Sequence, residues 1–219
     1  MTSPTRIVVW GAGRHALVVV DAIRAAGQWE MWGLVDDVNP DRAGGQLDGL
    51  PIFGGEGLAR ARAENVTHLI VAIGDNEARV RCASRAREQD FELATVIHPA
   101  AIVGSGVEIG EGSFVAAGAV INPNSRIGKN VLINTKASVD HECVLEEGVH
   151  IGPGVTIGGS VTVRSQAWVG LGAAVRDDVS IGRGAVVGVG AAVVSNIEDG
   201  VVAYGVPARP IREGRSDAR

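Results

Sequence analysis

The C-terminal part of the chain repeats an aliphatic position every six residues. From Ile97 to Val193, each sixth residue is Val, Ile or Leu without interruption. The residue four places after each of these is always small or aliphatic, so every six-residue unit offers two inward side chains. This period is typical of a parallel β-helix in which three units form one triangular coil. The pattern therefore predicts a prism of stacked coils, followed by a short tail, over residues 97–219.

Glycine often follows the aliphatic position of the repeat, as at Gly110, Gly128 and Gly158. Glycine adopts backbone angles that other residues avoid. We expect these glycines to supply the angles that the corners of the prism require.

Residues 1–96 instead alternate strand and helix patterns. Short apolar runs end at glycine or aspartate, and segments with helical spacing lie between them. The predicted strands are Arg6–Trp10, Met31–Val35, Leu50–Phe53 and His68–Ile73, and the predicted helices are His15–Ala26, Leu58–Glu64 and Glu77–Gln89. This alternation predicts an α/β domain with a small Rossmann-like parallel sheet and right-handed crossovers. The chain is thus predicted to have two domains, 1–96 and 97–219.

The composition fits a folded protein of this kind. Of 219 residues, 46% are hydrophobic and 21% charged, which excludes a disordered chain. Aromatic residues are only 4%, while there are 31 glycines. That balance favours narrow, regularly stacked β-structure over a bulky aromatic core.

Charge and cysteine usage exclude several functions. The net charge of −5 argues against a broad nucleic-acid surface, and no apolar run is long enough for a membrane span. The first residues lack a basic region followed by an apolar stretch, so we expect no secretory signal. Cys82 and Cys143 are isolated, which argues against a disulfide framework or a cysteine-based zinc site. We expect the reducing cytoplasm as the compartment.

The turn after the first predicted strand is a candidate phosphate site. Gly11-x-Gly13-x-x-Ala16, with Asp36 about twenty residues on, matches a dinucleotide-binding fingerprint. Amides at a helix N-terminus bind any diphosphate, however, and this domain is too short to hold a second nucleotide half. We therefore favour the pyrophosphate of a nucleotide sugar, with Asp36 or Asp37 available to its ribose or base. A turn that only packs strand on helix is the structural alternative.

The prism carries a candidate acid–base pair. The repeat places Cys143 inward and the preceding His141 and Glu142 outward at a corner. Histidine is the usual side chain for general-base work near neutral pH, and a neighbouring carboxylate can fix its tautomer. A solvated surface pair is an equally weighted alternative on the pattern alone.

Two further positions interrupt the plain surface of the prism. Trp168 follows His150 by 18 residues, so the two side chains should stack in adjacent coils. An outward tryptophan suggests a covered surface, either a subunit contact or a ligand wall. Asn134, seven residues before His141, is a polar outward neighbour of that histidine.

Four motifs together resemble a known family. They are Gly11-Ala-Gly-Arg-His-Ala16, Leu34-Val-Asp-Asp37, Asn134-Thr-Lys-Ala-Ser-Val-Asp-His-Glu-Cys-Val144 and Tyr204-Gly-Val-Pro-Ala-Arg-Pro-Ile211. They are similar to the hexapeptide sugar acyltransferases, and more narrowly to the branch that N-acetylates nucleotide-linked 4-amino sugars. The resemblance covers nearly the whole chain and implies that the β-helix is left-handed. The family's first turn commonly reads Gly-x-x-Gly-His-Gly, from which Arg14 and Ala16 depart.

The resemblance also implies roles for individual residues. His141 matches the catalytic base, Glu142 the residue that orients it, and Asn134 a polar group near the sugar amine. His150 matches a residue near the acetyl-CoA thioester, and Gly159 a backbone donor to the oxyanion. The remaining matches are Leu171 and Val189 for the pantetheine arm, and Gly13, Arg14, His15, Asp36 and Asp37 for the nucleotide sugar.

The implied activity is direct, acetyl-CoA-dependent N-acetylation of the C4 amine of a nucleotide-linked 4-amino-dideoxy sugar, in the synthesis of O-antigen or another surface glycan. Members that act on GDP-linked perosamine match best, and a UDP-linked sugar remains an alternative. The family is a homotrimer with acetyl-CoA between neighbouring prisms, and needs no metal.

Other classes of function stay open on the sequence. Some hexapeptide β-helices bind zinc through three histidines, but no third partner is evident for His141 and His150. The fingerprint leaves an oxidoreductase possible, and a prism could be a non-catalytic scaffold. O-acetylation of a sugar such as sialic acid would use the same histidine on a hydroxyl group.

Overall fold

The computed structural model describes residues 5–211. Residues 1–4, on which the expectation about a secretory signal partly rests, and the end of the C-terminal tail lie outside the described residues. The N-terminal domain holds strands β1 (Arg6–Trp10), β2 (Glu30–Val35), β3 (Gln46–Leu47), β4 (Leu50–Phe53), β5 (His68–Val71) and β6 (Glu92–Leu93). Its helices are α1 (Arg14–Ala26), α2 (Gly57–Ala63) and α3 (Asn76–Glu88), with a 3₁₀ turn at Pro40–Arg42.

The N-terminal sheet has the order β3-β4-β2-β1-β5-β6 and is parallel except for the β3–β4 pair. The predicted small parallel sheet and its three helices are therefore confirmed. The short β3 and β6 were not predicted, because two-residue strands leave no hydrophobic period. The chain order reverses between β1 and β5, so a crevice opens at their carboxyl ends, beside Gly11 and Gly74.

The remaining strands form a left-handed parallel β-helix with three faces, as the repeat and the resemblance predicted. The first face comprises β7 (Val96–Ile97), β10 (Phe114–Val115), β13 (Leu132–Ile133), β16 (His150–Ile151), β19 (Trp168–Val169), β22 (Val186–Val187) and β24 (Val202–Tyr204), with β25 (Arg209–Pro210) antiparallel at its end. The second face comprises β8 (Ile102–Val103), β11 (Val120–Ile121), β14 (Ser138–Val139), β17 (Thr156–Ile157), β20 (Ala174–Val175) and β23 (Ala192–Val193). The third face comprises β9 (Glu108–Ile109), β12 (Arg126–Ile127), β15 (Val144–Leu145), β18 (Thr162–Val163) and β21 (Ser180–Ile181).

Each strand from β7 to β23 ends on the aliphatic residue of its repeat, which points inward. Residues 18 apart pair in parallel, as Leu132 does with His150 and His150 with Trp168. The interior ladders are fully buried through the middle coils, for example at Ile133 and Ile151. At the open first end of the prism the prediction of burial fails for Val103, which is 40% exposed because no earlier coil covers it.

The explanation expected for the corner glycines is wrong. The left-handed backbone angles lie two positions further on, where Gly172, Asn124 and Glu142 all have positive φ. At Gly128, a Cβ atom would instead lie 2.9 Å from the backbone of Glu146 in the next coil. At Gly110, Gly128 and Gly158 the next coil approaches so closely that a Cβ atom would have to displace its backbone.

The N-terminal domain rests on the lower part of the first face. Phe114 and Leu132 point out of that face and are completely buried in one cluster with residues of α1 such as Val19. Further along the same face, His150 and Trp168 are only partly covered. The junction between the domains therefore ends in a cleft. None of the helices within residues 5–211 has the length and apolar character needed to cross a membrane.

We expect Gly128→Ala to destabilise the protein by about 1–3 kcal/mol, because the backbone of the next coil must shift. Gly172→Asn is the matched control, since nothing lies within 4 Å of its Cβ position and asparagine already occupies the equivalent turn position at residue 124. Its effect should stay within about 0.5 kcal/mol. Urea unfolding of both variants checks this, and an unchanged midpoint for Gly128→Ala would contradict the close-approach explanation.

Candidate active site

A cleft of about 440 Å³ lies between the N-terminal domain and the first face of the prism. The prism contributes His150, Trp168 and Val186 from three successive coils. The N-terminal domain contributes the segment 74–77, which joins β5 to α3. This segment follows a strand next to β1, so the cleft continues the crevice at the carboxyl ends of the parallel strands.

His150 is a partly covered, neutral imidazole in this cleft. Its Nε2 lies 2.9 Å from Nδ2 of Asn134. Burial, and after it the charge of Arg79, lower the pKa of His150 to about 3. Trp168 packs edge-on against the ring at 6.4 Å between centroids, which confirms the predicted stacking. Trp168 is only partly exposed, because its own N-terminal domain covers part of it.

Asn134 does not lie where the sequence placed it. It was expected as an outward neighbour of His141, but it is buried and pairs with His150. The six residues between Asn134 and His141 cross the whole second face of the prism, so the two residues occupy different corners.

We call the corner where the second face turns into the third the His141 edge. His141 and Glu142 are both exposed there, and Nδ1 of His141 lies 3.2 Å from Oε2 of Glu142. The predicted outward pair is confirmed as a contact. Asp140 accepts a hydrogen bond from the backbone N–H of His141, and its pKa is lowered first by its hydrogen bond from Asn122 and then by this contact.

Gly159 lies one coil above His141, as expected. A Cβ atom at residue 159 would lie 2.6 Å from Cε1 of His141, so the imidazole lies directly against this glycine. The close contact restricts the ring to the surface of the prism. It also places Gly159 beside Cε1 and Nε2 of the imidazole.

We call the corner where the first face turns into the second the Leu171 edge. Leu171 and Val189 lie one above the other there, with exposures of 46% and 64%. Large exposed aliphatic side chains in a row mark a surface that another group covers. Asn134 lies at this same edge, three coils below Val189.

The two glycines in the turn after β1 differ in whether packing within the chain requires a glycine. Gly11 has a φ of 116°, and a Cβ there would lie 2.8 Å from the backbone oxygen of Ala72, so packing alone requires glycine. Gly13 has ordinary angles and begins α1, and the nearest atom to its Cβ position is Nη1 of Arg42 at 3.7 Å. Packing therefore does not require glycine at residue 13. Arg14 is exposed beside it.

The two aspartates after β2 are already engaged within the chain. Asp36 is 8% exposed and accepts hydrogen bonds from the backbone of Asn39 and from Nη1 of Arg42, each at 2.9 Å. Asp37 accepts from Nε1 of Trp10 at 2.9 Å and from Arg85. The carboxylate expected to be available to a nucleotide therefore has internal partners in both cases.

His15 is a second, partly covered histidine in the junction between the two domains. Its ring packs edge-on against Phe114 at 5.6 Å, so it lies where α1 meets the prism. Burial lowers its pKa to about 4, and Arg79 adds to the effect. His15 and His150 are thus both neutral near pH 7.

Sequence reasoning missed Asn76, Arg79 and Arg42. Arg79 lies inside the junction with no exposed surface, and Arg42 reaches over the Gly13 turn. The Gly74-Asp75 pair after β5 could have indicated a second loop at the carboxyl end of the sheet. No local pattern marks an arginine on a charged helix as buried, because the covering residues come from the distant prism.

The predicted site residues therefore fall into separate groups. His141, Glu142 and Gly159 share the His141 edge, while Asn134, Leu171 and Val189 share the Leu171 edge. His150 lies on the first face, which is opposite the His141 edge. Within residues 5–211, no group of three or more His, Cys, Asp or Glu side chains is placed to hold a metal ion.

Comparisons with known families match both halves of the chain. Residues 6–86 match the PglD N-terminal domain, and residues 124–159 match the six repeats of the bacterial transferase hexapeptide family. A crystal structure of a mutant perosamine N-acetyltransferase from Caulobacter crescentus, in complex with CoA and GDP-perosamine, is 40% identical. The match covers 95% of this chain and 97% of that one, with a TM-score of 0.90. The chain belongs to the hexapeptide-repeat nucleotide-sugar N-acetyltransferases.

Two further members of this acyltransferase family have similar structures. The acetyltransferase domain of PglB from Neisseria gonorrhoeae, in complex with acetyl coenzyme A, is 34% identical over 95% of this chain and 100% of that one, with a TM-score of 0.88. WeeI from Acinetobacter baumannii is 26% identical over 94% and 99%, with a TM-score of 0.83. A comparison with curated proteins found no match. The family resemblance predicted from the motifs is confirmed.

The lowered pKa values of His15 and His150 predict that the protein is less stable in acid. Their native pKa values lie below the ordinary value near 6.5, so the unfolded chain binds more protons as the pH falls from 6.5 to about 4. We expect the free energy of unfolding at pH 5 to be lower than at pH 7 by about 2 kcal/mol per buried histidine. Urea unfolding at fixed protein concentration measures this. The variant His15→Asn/His150→Asn should lose most of the difference, and an equal fall in wild type and variant would refute the assignment.

Proposed function

We propose that the protein transfers the acetyl group of acetyl-CoA to the C4 amine of a nucleotide-linked 4-amino-dideoxy sugar, with GDP-perosamine as the favoured substrate. The observation that carries the proposal is the exposed His141–Glu142 pair held against Gly159. The solved relatives that bind CoA with GDP-perosamine, or acetyl coenzyme A, support both ligands. A UDP-linked amino sugar is the alternative within the same activity.

His141 is the proposed general base. With Nδ1–H donated to Oε2 of Glu142 at 3.2 Å, the imidazole presents Nε2 as a proton acceptor. The sugar amine loses its proton to Nε2 as its nitrogen attacks the thioester carbonyl. The C–S bond then breaks, and coenzyme A leaves as a thiolate that regains a proton.

The geometry favours direct transfer without an acyl-enzyme. Cys143 is the nucleophile nearest in sequence, but its Sγ is buried and donates to the carbonyl of Gly158 at 3.2 Å. Burial raises the pKa of that thiol, which keeps it unreactive. We assign the developing oxyanion to the backbone N–H of Gly159, beside the imidazole.

The two halves of the proposed site require two copies of the chain. In one copy His141 lies at the edge opposite the first face, whereas His150, the cleft and the N-terminal domain lie on the first face. A neighbour that places its His141 edge against the cleft and the Leu171 edge would complete the site. Closed three-fold symmetry suits triangular prisms, and it would cover Leu171 and Val189 with acetyl-CoA and a neighbouring prism. We therefore propose a homotrimer.

The N-terminal domain is proposed to hold the nucleotide sugar. The diphosphate would lie at the Gly13 turn, where amides at the start of α1 and the guanidinium of Arg42 are close together. The sugar would then extend along the crevice towards the prism. Two unpaired, buried cysteines fit a reducing compartment, so we propose the cytoplasm.

Replacement of His141 by asparagine should lower kcat by ~10²–10⁴ with little change in either KM, because it removes the base and leaves the interior untouched. Glu142→Ala should cost less, since it only orients the ring. Release of free CoA thiol, with GDP- and UDP-linked amino sugars and sialic acid as acceptors, measures activity. A folded His141→Asn protein with wild-type turnover would refute the general base, and O-acetylation alone would refute the N-acetyltransferase.

The shared site can be tested by subunit mixing. His141→Asn and His150→Asn proteins should each be weakly active, but co-refolded trimers should recover about a quarter of the wild-type sites, where two intact halves meet. Two separately refolded samples, combined afterwards, are the control. If co-refolding restores nothing, both histidines act within one chain and the shared site is wrong. Sedimentation of the same samples tests the trimer.

A further inference from the structure

Arg79 is a completely buried cation at the junction of the two domains. Within residues 5–211, no carboxylate lies within ion-pair distance of its guanidinium. Burial lowers its pKa to about 9, so the group is still charged near pH 7. A buried charge is costly, and a well-packed apolar residue would often dock two surfaces as stably. An arginine at this position therefore needs an explanation other than holding the two domains together.

The hydrogen bonds of Arg79 reach the backbone directly before His150. Nη2 donates to the carbonyl of Gly148 at 2.7 Å and lies 3.4 Å from that of Val149. Nε donates to the carbonyl of Asn130 in the coil below, at 2.9 Å. One side chain of α3 thus fixes the strand that carries His150.

The other end of the guanidinium fixes the opposite wall of the cleft. Nη1 donates to the carbonyls of Ile73 and Gly74, at 3.1 and 3.2 Å. Gly74 lines the cleft, facing His150 and Trp168. The same cation therefore sets the distance between the N-terminal wall and the prism wall.

Asn76 extends this arrangement to the next coil. Its Oδ1 accepts from Nη2 of Arg79 at 2.9 Å, and its Nδ2 donates to the carbonyls of Gln166 and Ala167 at 2.9 and 3.1 Å. Those carbonyls directly precede Trp168. Together, Arg79 and Asn76 hold the backbone directly before His150 and Trp168, two of the prism side chains that line the cleft.

Helix α3 packs so closely against the prism that neither can shift far relative to the other. A Cβ atom at Gly148 would lie 2.6 Å from Cγ2 of Val80, so α3 touches the prism backbone directly. The charge of Arg79 also acts on His15 and His150, and lowers the pKa of each. Asp75 and Glu77 are the acidic residues that line the same cleft.

We propose that Arg79, relayed by Asn76, is a positioning residue for acetyl transfer, which fixes His150 and Trp168 against the N-terminal wall of the cleft. It touches neither substrate. The proposal rests on the proposed function, in which His150 lies near the thioester while the N-terminal domain holds the nucleotide sugar. Small displacements of positioned groups cost as much as ~10²-fold in rate.

The test compares Arg79→Lys, Arg79→Met and Asn76→Ala with Arg87→Met. Arg87 is the matched control, because it also lies on α3 and reaches the prism, at Glu111, but away from the cleft. Thiol-release kinetics give kcat and both KM values. Titration of the His150 ring by NMR, assigned with His150→Asn, reports on its surroundings independently of turnover.

We expect Arg79→Lys and Asn76→Ala to lower kcat by about 10- to 100-fold, with smaller changes in KM and an intact fold by circular dichroism. Arg79→Met should in addition raise the pKa of His150, because the neighbouring charge is gone, whereas Arg79→Lys should leave it nearly in place. Arg87→Met should behave as wild type in both measurements.

Folded Arg79→Lys and Asn76→Ala proteins with wild-type kcat would overturn the proposal and leave Arg79 a purely structural link. An unmoved His150 titration in a folded Arg79→Met protein would overturn its electrostatic part. Should Arg79→Met fail to fold, the two milder variants decide the matter by their kcat. If wild type itself transfers no acetyl group to any nucleotide amino sugar, the proposed function fails, while the titration still reports whether Arg79 acts on His150.

Discussion

The structure depends on the stacking of one coil on the next through parallel backbone hydrogen bonds. His150, for example, donates its N–H to the carbonyl of Ala167 in the following coil at 3.0 Å. Such bonds form only if every coil has the same length and its corners come close together, which the glycines at positions such as 128 permit. The rigid ladder then fixes the height and direction of every outward side chain. Function can be added on the outside without disturbing the interior.

The first face shows how one ladder serves two purposes. Its outward residues Phe114 and Leu132 are apolar and bind the N-terminal domain, whereas His150 and Trp168, further along, are left to line a cleft. The change from buried outward residues to cleft-lining residues occurs where α3 packs against the prism, beside Arg79. The contacts that dock the two domains therefore also form the cleft. A change at the junction should reach the site even when it touches no ligand.

The separation of His141 from the first face has a consequence for the whole molecule. A prism without long loops cannot bring two of its own opposite sides together, because each outward side chain stays at its corner. A second copy of the chain can bring them together. In the proposed homotrimer, the exposed Leu171 and Val189 of one copy and the exposed His141–Glu142 pair of its neighbour would be two surfaces of one shared site.

The sequence by itself determined the features that depend on local period. The six-residue repeat predicted the coils, the inward ladders, the outward His141–Glu142 pair and the stacking of Trp168 on His150, because neighbours in a prism are separated by a constant number of residues. The alternating apolar runs likewise predicted the parallel sheet. Only the tertiary structure decided that Asn134 pairs with His150, that Asp36 and Asp37 are internally engaged, and that Arg79 is completely buried between the two domains. These contacts join segments far apart in the chain, and their spacing follows from how two domains dock, which no periodic pattern encodes.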